Sequence, residues 1–390
     1  MGAEGSFEVF TPGEMEKEYE ARAGSGDLSL WKALEKGYTK VVDQLIQPPR
    51  KQYTLGSLGP STFSFVVDSM PQTTLTPVSP RHHATREDFV VVTPTHSLHG
   101  SFWSVASSRG FSHPSRRPCV LFLHSNMGTR VDALAIRDHV LAAGFSLASF
   151  DFGGSGHSTG TYITGGVREA VDVGYVLEFL KANYDLHRFF LWGHSLGAAA
   201  ALLYMQQLNL STRPVALPPA ATIPTGAELV TTRTSPTTTT TLPSCSTSTH
   251  VATTSHEPQP LVILAAVLDS PYTTFQDMTE SIVETVKSNG LPAPAALLRL
   301  GMRMVTKSIE SRGGFVVAQV NPLASSADCT APALFCNGSL DLYVKTGVAN
   351  QFIHKYGGPC TRLGFRGDHY GPRPVELHEF AVAFLRETLV

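Results

Sequence analysis

Phe189-Phe190-Leu191-Trp192-Gly193-His194-Ser195-Leu196-Gly197-Ala198-Ala199-Ala200-Ala201-Leu202-Leu203 reads as an apolar strand, a sharp turn and a strongly helix-forming segment. The turn matches Gly-x-Ser-x-Gly, a pattern in which a strand-to-helix corner lifts a serine hydroxyl off the end of a sheet. Small residues two positions before and after the serine are needed to avoid a clash, and Gly193 and Gly197 supply them. The helix that follows aims its first backbone donors toward developing negative charge, so the Leu196 amide is a candidate half of an oxyanion hole. A lone match also arises at plain turns; here the flanking strand and helix and the partners downstream give it weight.

Outward from this corner, apolar strands alternate with helical segments, the signature of a mainly parallel sheet covered on both faces. Strands are expected at Cys119 to His124, Ser146 to Asp151, Arg188 to Gly193, Leu261 to Asp269, Ala333 to Gly338 and Cys360 to Phe365. Helices are expected near 130–143, 167–183, 196–207, 274–305, 346–356 and 374–388, those around 270–332 forming a small cap. Upstream, Thr62 to Val67, Asp88 to Thr93 and Gly100 to Val105 read as leading antiparallel strands. Before them, residues 27–47 place Trp31, Leu34, Tyr38, Val41, Val42 and Leu45 on one helical face, ended by Pro48-Pro49. Residues 1–26 read as a flexible N-terminus and 27–390 as one α/β domain. Within it, 209–259 is a Thr/Ser/Pro-rich insertion expected to be disordered, leaving at the end of the sheet opposite the catalytic loops. Asn209-Leu210-Ser211 is formally a glycosylation sequon, but no secretory signal accompanies it.

A serine is a weak nucleophile until an imidazole takes its proton, and that imidazole needs a carboxylate to fix its tautomer. In this architecture the chain order is serine, acid, histidine. Asp341 lies just beyond the strand Ala333 to Gly338, and His369 just beyond Cys360 to Phe365, both at carboxyl ends. Asp269 and Asp328 compete as acids, and His378, inside the last helix, competes as base. The strand from Cys119 ends in His124-Ser125-Asn126-Met127-Gly128, where a backbone amide, here that of Asn126, is the second oxyanion candidate. The glycine-dense loop Asp151 to Ser158 lacks the Gly-Lys-Ser/Thr ending of a phosphate cradle, and its His157 reads as a loop residue.

Composition narrows the partners. Lys plus Arg total 30 against 32 for Asp plus Glu, which gives no footing for nucleic acid. The five cysteines are scattered and lack Cys-x-x-Cys spacing, so neither a disulfide framework nor a zinc site is encoded, and a reducing, cytoplasmic setting is expected. The longest apolar runs are about half of the roughly 20 residues that a spanning helix needs. Met1-Gly2 with Ser6 fits the N-myristoylation pattern, which would add weak membrane association through Gly2.

With these motifs in view the chain resembles the α/β-hydrolase superfamily, within it the serine peptidases and esterases that include prolyl oligopeptidase-like and serine aminopeptidase-like members. Cys119 to Ala133 is similar to that group's strand, His-Gly-Asn turn and helix, with Ser125 in place of the usual glycine and Arg130 where many members carry arginine. Asp151 to Gly160 resembles the group's Asp-x-x-Gly-x-Gly-x-Ser-x-Gly loop, Leu268 to Pro271 its Asp-Ser-Pro turn, and the segments around Asp341 and His369 its acid and histidine motifs. Pro48 to Tyr53 with Leu58-Gly59-Pro60 resembles a lead-in found in a subset of members. The resemblance implies an α/β-hydrolase fold and hydrolysis of an ester, thioester or peptide bond through Ser195, His369 and Asp341, with no metal or organic cofactor. The rival expectation is a catalytically silent scaffold that uses the Thr-rich insertion for docking.

Overall fold

Alternation along the apolar strands decides the architecture, because successive side chains of a strand point to opposite faces. In the computed structural model, which describes residues 42–43, 45–66, 82–105, 117–212, 259–288 and 295–389, nine strands form one sheet. They are β1 (Thr62–Phe65), β2 (His82–Val92), β3 (Ser97–Val105), β4 (Cys119–Leu123), β5 (Ser146–Phe150), β6 (Arg188–His194), β7 (Val262–Asp269), β8 (Ala333–Gly338) and β9 (Cys360–Phe365). Their order is β1-β2-β3-β5-β4-β6-β7-β8-β9. The pairs β1/β2, β2/β3 and β3/β5 are antiparallel and all the others are parallel. The three leading strands and the six parallel ones stand where the sequence places them, β2 and β3 starting earlier than expected.

The helices are α1 (Leu134–Ala142), α2 (Val167–Tyr184), α3 (Leu196–Thr212), α4 (Phe275–Ser288), α5 (Ala295–Gly313), α6 (Pro322–Ser325), α7 (Thr346–Lys355) and α8 (Val375–Glu387). Cys119, Leu121 and Leu123 of β4, with Phe189 and Leu191 of β6, join Val173, Leu177, Leu202 and Phe352 in one core. Val120 and Phe122, with Phe190 and Trp192, pack on Ile136, Val140, Leu377 and Leu385 in the other. Both faces of the central strands are therefore dry, as a parallel sheet requires. A third cluster joins Val42, Leu45 and Ile46 to Ala199 and Leu203 of α3, Phe275 of α4, and Val305 and Ile309 of α5. This is the cap, seated on the first turns of the helix that follows Ser195.

Two helices also differ from the sequence reading. The expected 274–305 helix corresponds to two described helices, Phe275–Ser288 and Ala295–Gly313, and the sequence between them holds Pro292 and Pro294, each lacking the amide a helix interior needs. Helix α3 runs on to Thr212, past the expected start of the insertion. Asn209 anchors that last turn by donating to the Asp328 carbonyl (2.7 Å) and to Thr330 Oγ1 (3.1 Å), so the sequon side chain is engaged. Residues 1–41 and 213–258, which hold the Gly2 motif, most of the predicted first helix and nearly all of the insertion, lie outside the described residues. The carbonyl of Gln259, the first described residue after that stretch, lies 3.1 Å from Nδ1 of His187, which immediately precedes β6. No helix among the described residues is long and apolar enough to cross a membrane.

The lead-in Arg50 to Tyr53 acts as a strap. Arg50 donates to the Ser158 carbonyl (2.8 Å) and to that of Gly160, and Lys51 pairs with Asp132 (2.9 Å). The Tyr53 hydroxyl donates to Asp151 Oδ2 (2.6 Å) and accepts from Arg130 Nε (2.6 Å), while its ring stacks on His157 at 4.2 Å. Asp151 is fully buried, and its other oxygen accepts the Arg130 amide (2.8 Å). Gly156 is required beside it, since a Cβ there would lie 2.4 Å from the carboxylate.

Two stability predictions follow from these packed polar groups. Tyr53→Phe leaves the buried carboxylate and guanidinium each one partner short, and hydrogen bonds to charged groups contribute roughly 1.5–3 kcal/mol. Denaturant titration should show a loss of about 2 kcal/mol; a change within experimental error would refute the strap. His378, on α8 against Trp192 and His139, is pushed down to about 4 by burial and then by the His139 ring. The unfolded chain takes this proton near 6.5 and the folded one resists it, so stability is lost as pH falls from about 6.5 toward about 4. His378→Gln should flatten the slope by up to about 1.4 kcal/mol per pH unit in that window; an unchanged slope would count against the burial argument.

Candidate active site

Ser195 sits at the end of β6 with φ 52°, a left-handed conformation that costs an L-residue roughly 1–2 kcal/mol. Its backbone is held there on both sides: its amide donates to the Asp269 carbonyl (2.8 Å), and its carbonyl accepts from Ala199 of α3 (3.0 Å). A Cβ on Gly193 would lie 2.5 Å from the Ala198 amide nitrogen, and one on Gly197 would lie 2.0 Å from the Leu123 carbonyl oxygen. The two glycines of the motif are thus required by backbone packing rather than by chemistry.

The serine Oγ lies 2.9 Å from Nε2 of His369, whose Nδ1 lies 2.7 Å from Oδ2 of Asp341. All three are buried, at 5%, 3% and 7% exposure. The loops that bring acid and base together are stitched by Ser339 donating to the Phe365 carbonyl (2.8 Å) and Leu340 to that of Gly367 (2.9 Å). Gly338 permits this approach, because a Cβ on it would meet the Gly367 oxygen at 2.3 Å. Burial works against the charge of Asp341. The hydrogen bond to His369, its charge, and the amides of Val344 (2.7 Å) and Tyr343 (2.9 Å) on Oδ1 outweigh that and hold the carboxyl below its ordinary value. An ionised Asp341 accepts a hydrogen bond from Nδ1–H and leaves the Nε2 lone pair facing the serine hydroxyl, the arrangement a general base needs.

The turn after β4 is fixed by His124. Burial above all lowers its pKa, so the ring is neutral; Nδ1 donates to the Ser125 carbonyl (2.6 Å) and Nε2 accepts from the Phe152 amide (3.0 Å). The Ser125 carbonyl also accepts from Gly128 (2.9 Å), so the turn closes with serine in the position the resemblance gives to glycine. Asn126, at the top of this turn, accepts through Oδ1 from the Tyr370 hydroxyl (3.2 Å). Leu196 is the first residue of α3, where a backbone N–H has no intrahelical acceptor.

The competing residues point elsewhere. The Asp269 carboxylate pairs with Arg373 (2.6 Å), Asp328 accepts from Gln206 (3.0 Å) at the far end of α3, and His378 packs on α1. His157 holds the Tyr53 carbonyl (2.9 Å). Sequence reasoning missed Arg373, Tyr370 and the ring of His194. No local pattern marks them, since Arg373 finds its acid 104 positions away and Tyr370 its amide partner 244 positions away.

Known proteins resemble parts of this chain. A family model described as serine aminopeptidase, S33 matches residues 114–283. Lysophosphatidylserine lipase ABHD12 of Rattus norvegicus is 30% identical over 129 residues, 31% of this chain and 32% of that protein. The Gallus gallus protein of the same name is 29% identical over 143 residues, 34% and 36% of the two chains. The chain thus spans about a third of the length of these relatives. Among solved structures, the Pyrococcus furiosus esterase Pf2001 overlaps 77% of this chain and 92% of its own, with TM-score 0.49 and 17% identity. Est1E of Butyrivibrio proteoclasticus overlaps 77% and 98%, with TM-score 0.46 and 14% identity. With three antiparallel strands leading into a parallel sheet and a serine corner after β6, the chain has the α/β-hydrolase fold, and the serine aminopeptidase family model matches it across that corner.

Proposed function

We propose that the protein is a serine hydrolase that cleaves acyl esters through a covalent acyl-enzyme. The observation that carries the reading is the unbroken hydrogen-bond line from Ser195 Oγ through His369 to Asp341, at 2.9 and 2.7 Å. In this reading Oγ attacks the acyl carbon while Nε2 of His369 takes its proton. The amides of Leu196 and Asn126 receive the oxyanion, and the imidazolium returns its proton to the departing alcohol. Water, deprotonated by His369, then releases the acid and regenerates Ser195. Asp341 stays ionised throughout and stabilises the imidazolium between the two half-reactions.

An apolar acyl chain suits the surroundings. Met127 beside the proposed oxyanion residue, and Leu340 and Leu342 on either side of Asp341, are 50%, 56% and 74% exposed, a cost in water that a bound hydrocarbon relieves. The relatives named as lysophosphatidylserine lipases point the same way. The serine aminopeptidase description of the matching family keeps a peptide amide as the second reading.

A fluorophosphonate probe should label the protein, and Ser195→Ala should abolish labelling; persistent labelling of that variant would refute the assignment. His369→Ala should slow labelling on the order of a hundredfold or more. Against matched panels, p-nitrophenyl esters of increasing chain length should be turned over in preference to aminoacyl and dipeptidyl amides. The reverse order would replace the ester reading with the peptide one.

A further inference from the structure

Arg373, four residues beyond His369, has an acceptor for each of its five N–H groups. Nε donates to Asp269 Oδ2 (2.6 Å), Nη1 to the carbonyls of Gly371 (2.8 Å) and Asp368 (3.1 Å), and Nη2 to the His369 carbonyl (2.9 Å) and Asp269 Oδ1 (3.3 Å). The ring of His194, the residue before the proposed nucleophile, closes the cluster: its Nε2 lies 2.9 Å from both Nη2 and the His369 carbonyl oxygen. Burial above all pushes His194 down to about 4, so the ring beside the guanidinium stays neutral at ordinary pH. The pair itself is dry, with side chains 10% and 5% exposed, and the Phe365 ring lies 5.0 Å from the guanidinium carbon.

Asp269 thereby serves both halves of the site. Its carbonyl accepts the Ser195 amide (2.8 Å) and holds the left-handed corner, while its carboxylate grips the arginine that grips the His369 carbonyl. Ser270, itself at φ 51°, donates to the same carboxylate (2.9 Å) and through its amide to the Cys336 carbonyl (2.9 Å), which fixes the turn to β8. We propose that Arg373 is a positioning residue for the Ser195–His369 pair, setting the depth of the imidazole against the serine by tying the His369 carbonyl to Asp269. This deepens the serine-hydrolase reading and rests on it. The Asp341 contact orients the ring; Arg373 fixes the backbone from which the ring hangs.

Stability alone is a weak reason for such a pair. Buried ion pairs pay a desolvation cost that often cancels their attraction, and apolar replacements of similar volume are frequently neutral or better. A displacement of about 1 Å between reacting groups, by contrast, costs on the order of a hundredfold in rate. Geometry is therefore what the cluster protects.

The test uses the full chain with p-nitrophenyl butyrate as substrate and active sites counted by fluorophosphonate titration. Arg373→Met should lower kcat per titrated site by about tenfold to a hundredfold, with KM within about twofold. Asp269→Asn, which keeps the backbone carbonyl, should show the same split, and the double variant should fall no further than the worse single, as members of one network do. Arg373→Lys keeps the charge but cannot reach all the acceptors, so it should lose nearly as much. If Arg373→Met does not fold, the lysine and asparagine variants carry the test. A lowered melting temperature with unchanged kcat per site, or additive losses in the double variant, would overturn the positioning role. An unsubstituted protein that neither reacts with the probe nor turns over substrate would instead overturn the hydrolase reading, and the positioning role with it.

Discussion

Gly197 has no room for a side chain, because a Cβ there would sit 2.0 Å from the carbonyl oxygen of Leu123 at the end of the neighbouring strand. That contact sets where helix α3 starts, and through it where Ser195 must turn. The left-handed φ at Ser195 is the other side of the same constraint: the chain has this one residue in which to leave β6 and begin α3. Conformations of this kind persist only where the surroundings over-determine them. Here the surroundings are the Asp269 carbonyl below, the Ala199 amide above and two glycines that let strand and helix close to van der Waals distance. The cap helices then rest on Ala199 and Leu203, on the helix that follows the proposed nucleophile.

Electrostatics in the site separates two buried histidines that look alike in sequence. His369 faces a carboxylate that three partners keep ionised. His194 faces a guanidinium and is held neutral, with burial the main cause and Arg373 and His369 adding to it against the pull of Asp269. The two rings are 5.3 Å apart. Keeping one of them uncharged removes a like-charge neighbour at the moment His369 would carry a proton, which is when a second positive ring would raise the barrier most.

The fold was legible because its signals are local and repeated. Six apolar runs at carboxyl-end loops, a Gly-x-Ser-x-Gly corner and alternation that places Phe189 and Leu191 on one face and Phe190 and Trp192 on the other need no knowledge of distant contacts. The meeting of Ser195, Asp341 and His369 was legible for a related reason, since chain order and strand ends are one-dimensional facts. Asp269 was visible only as a competitor to Asp341, because sequence shows that it ends a strand and not which way its carboxylate turns. The contacts of Arg373 and Tyr53 were invisible: each side chain finds its partners some 100 positions away. Element ends were least legible where tertiary contacts set them, as at Asn209, whose bonds to Asp328 and Thr330 carry α3 through sequence of low helical character.

The placement of the polar strap and of the polar clamp follows one logic. Backbone donors are the weakest part of a site to specify by sequence, because any residue supplies an amide and only the path of the chain aims it. At the proposed oxyanion donor Asn126 that path runs through the turn at His124 to Gly128, and Arg130, two residues later, has its amide on Asp151 and its Nε on Tyr53. On the base side the path runs through Asp368 to Gly371, and Arg373, two residues later, gathers three of its carbonyls. Each loop is followed at once by an arginine bound to a buried aspartate at the end of a strand, Asp151 after β5 and Asp269 in β7. A guanidinium suits both places because its fixed fork of donors reaches several acceptors together, the Tyr53 hydroxyl and Gly100 carbonyl for Arg130 and a carboxylate with three carbonyls for Arg373. The two loops thus have their backbone paths held by paired charges beneath them.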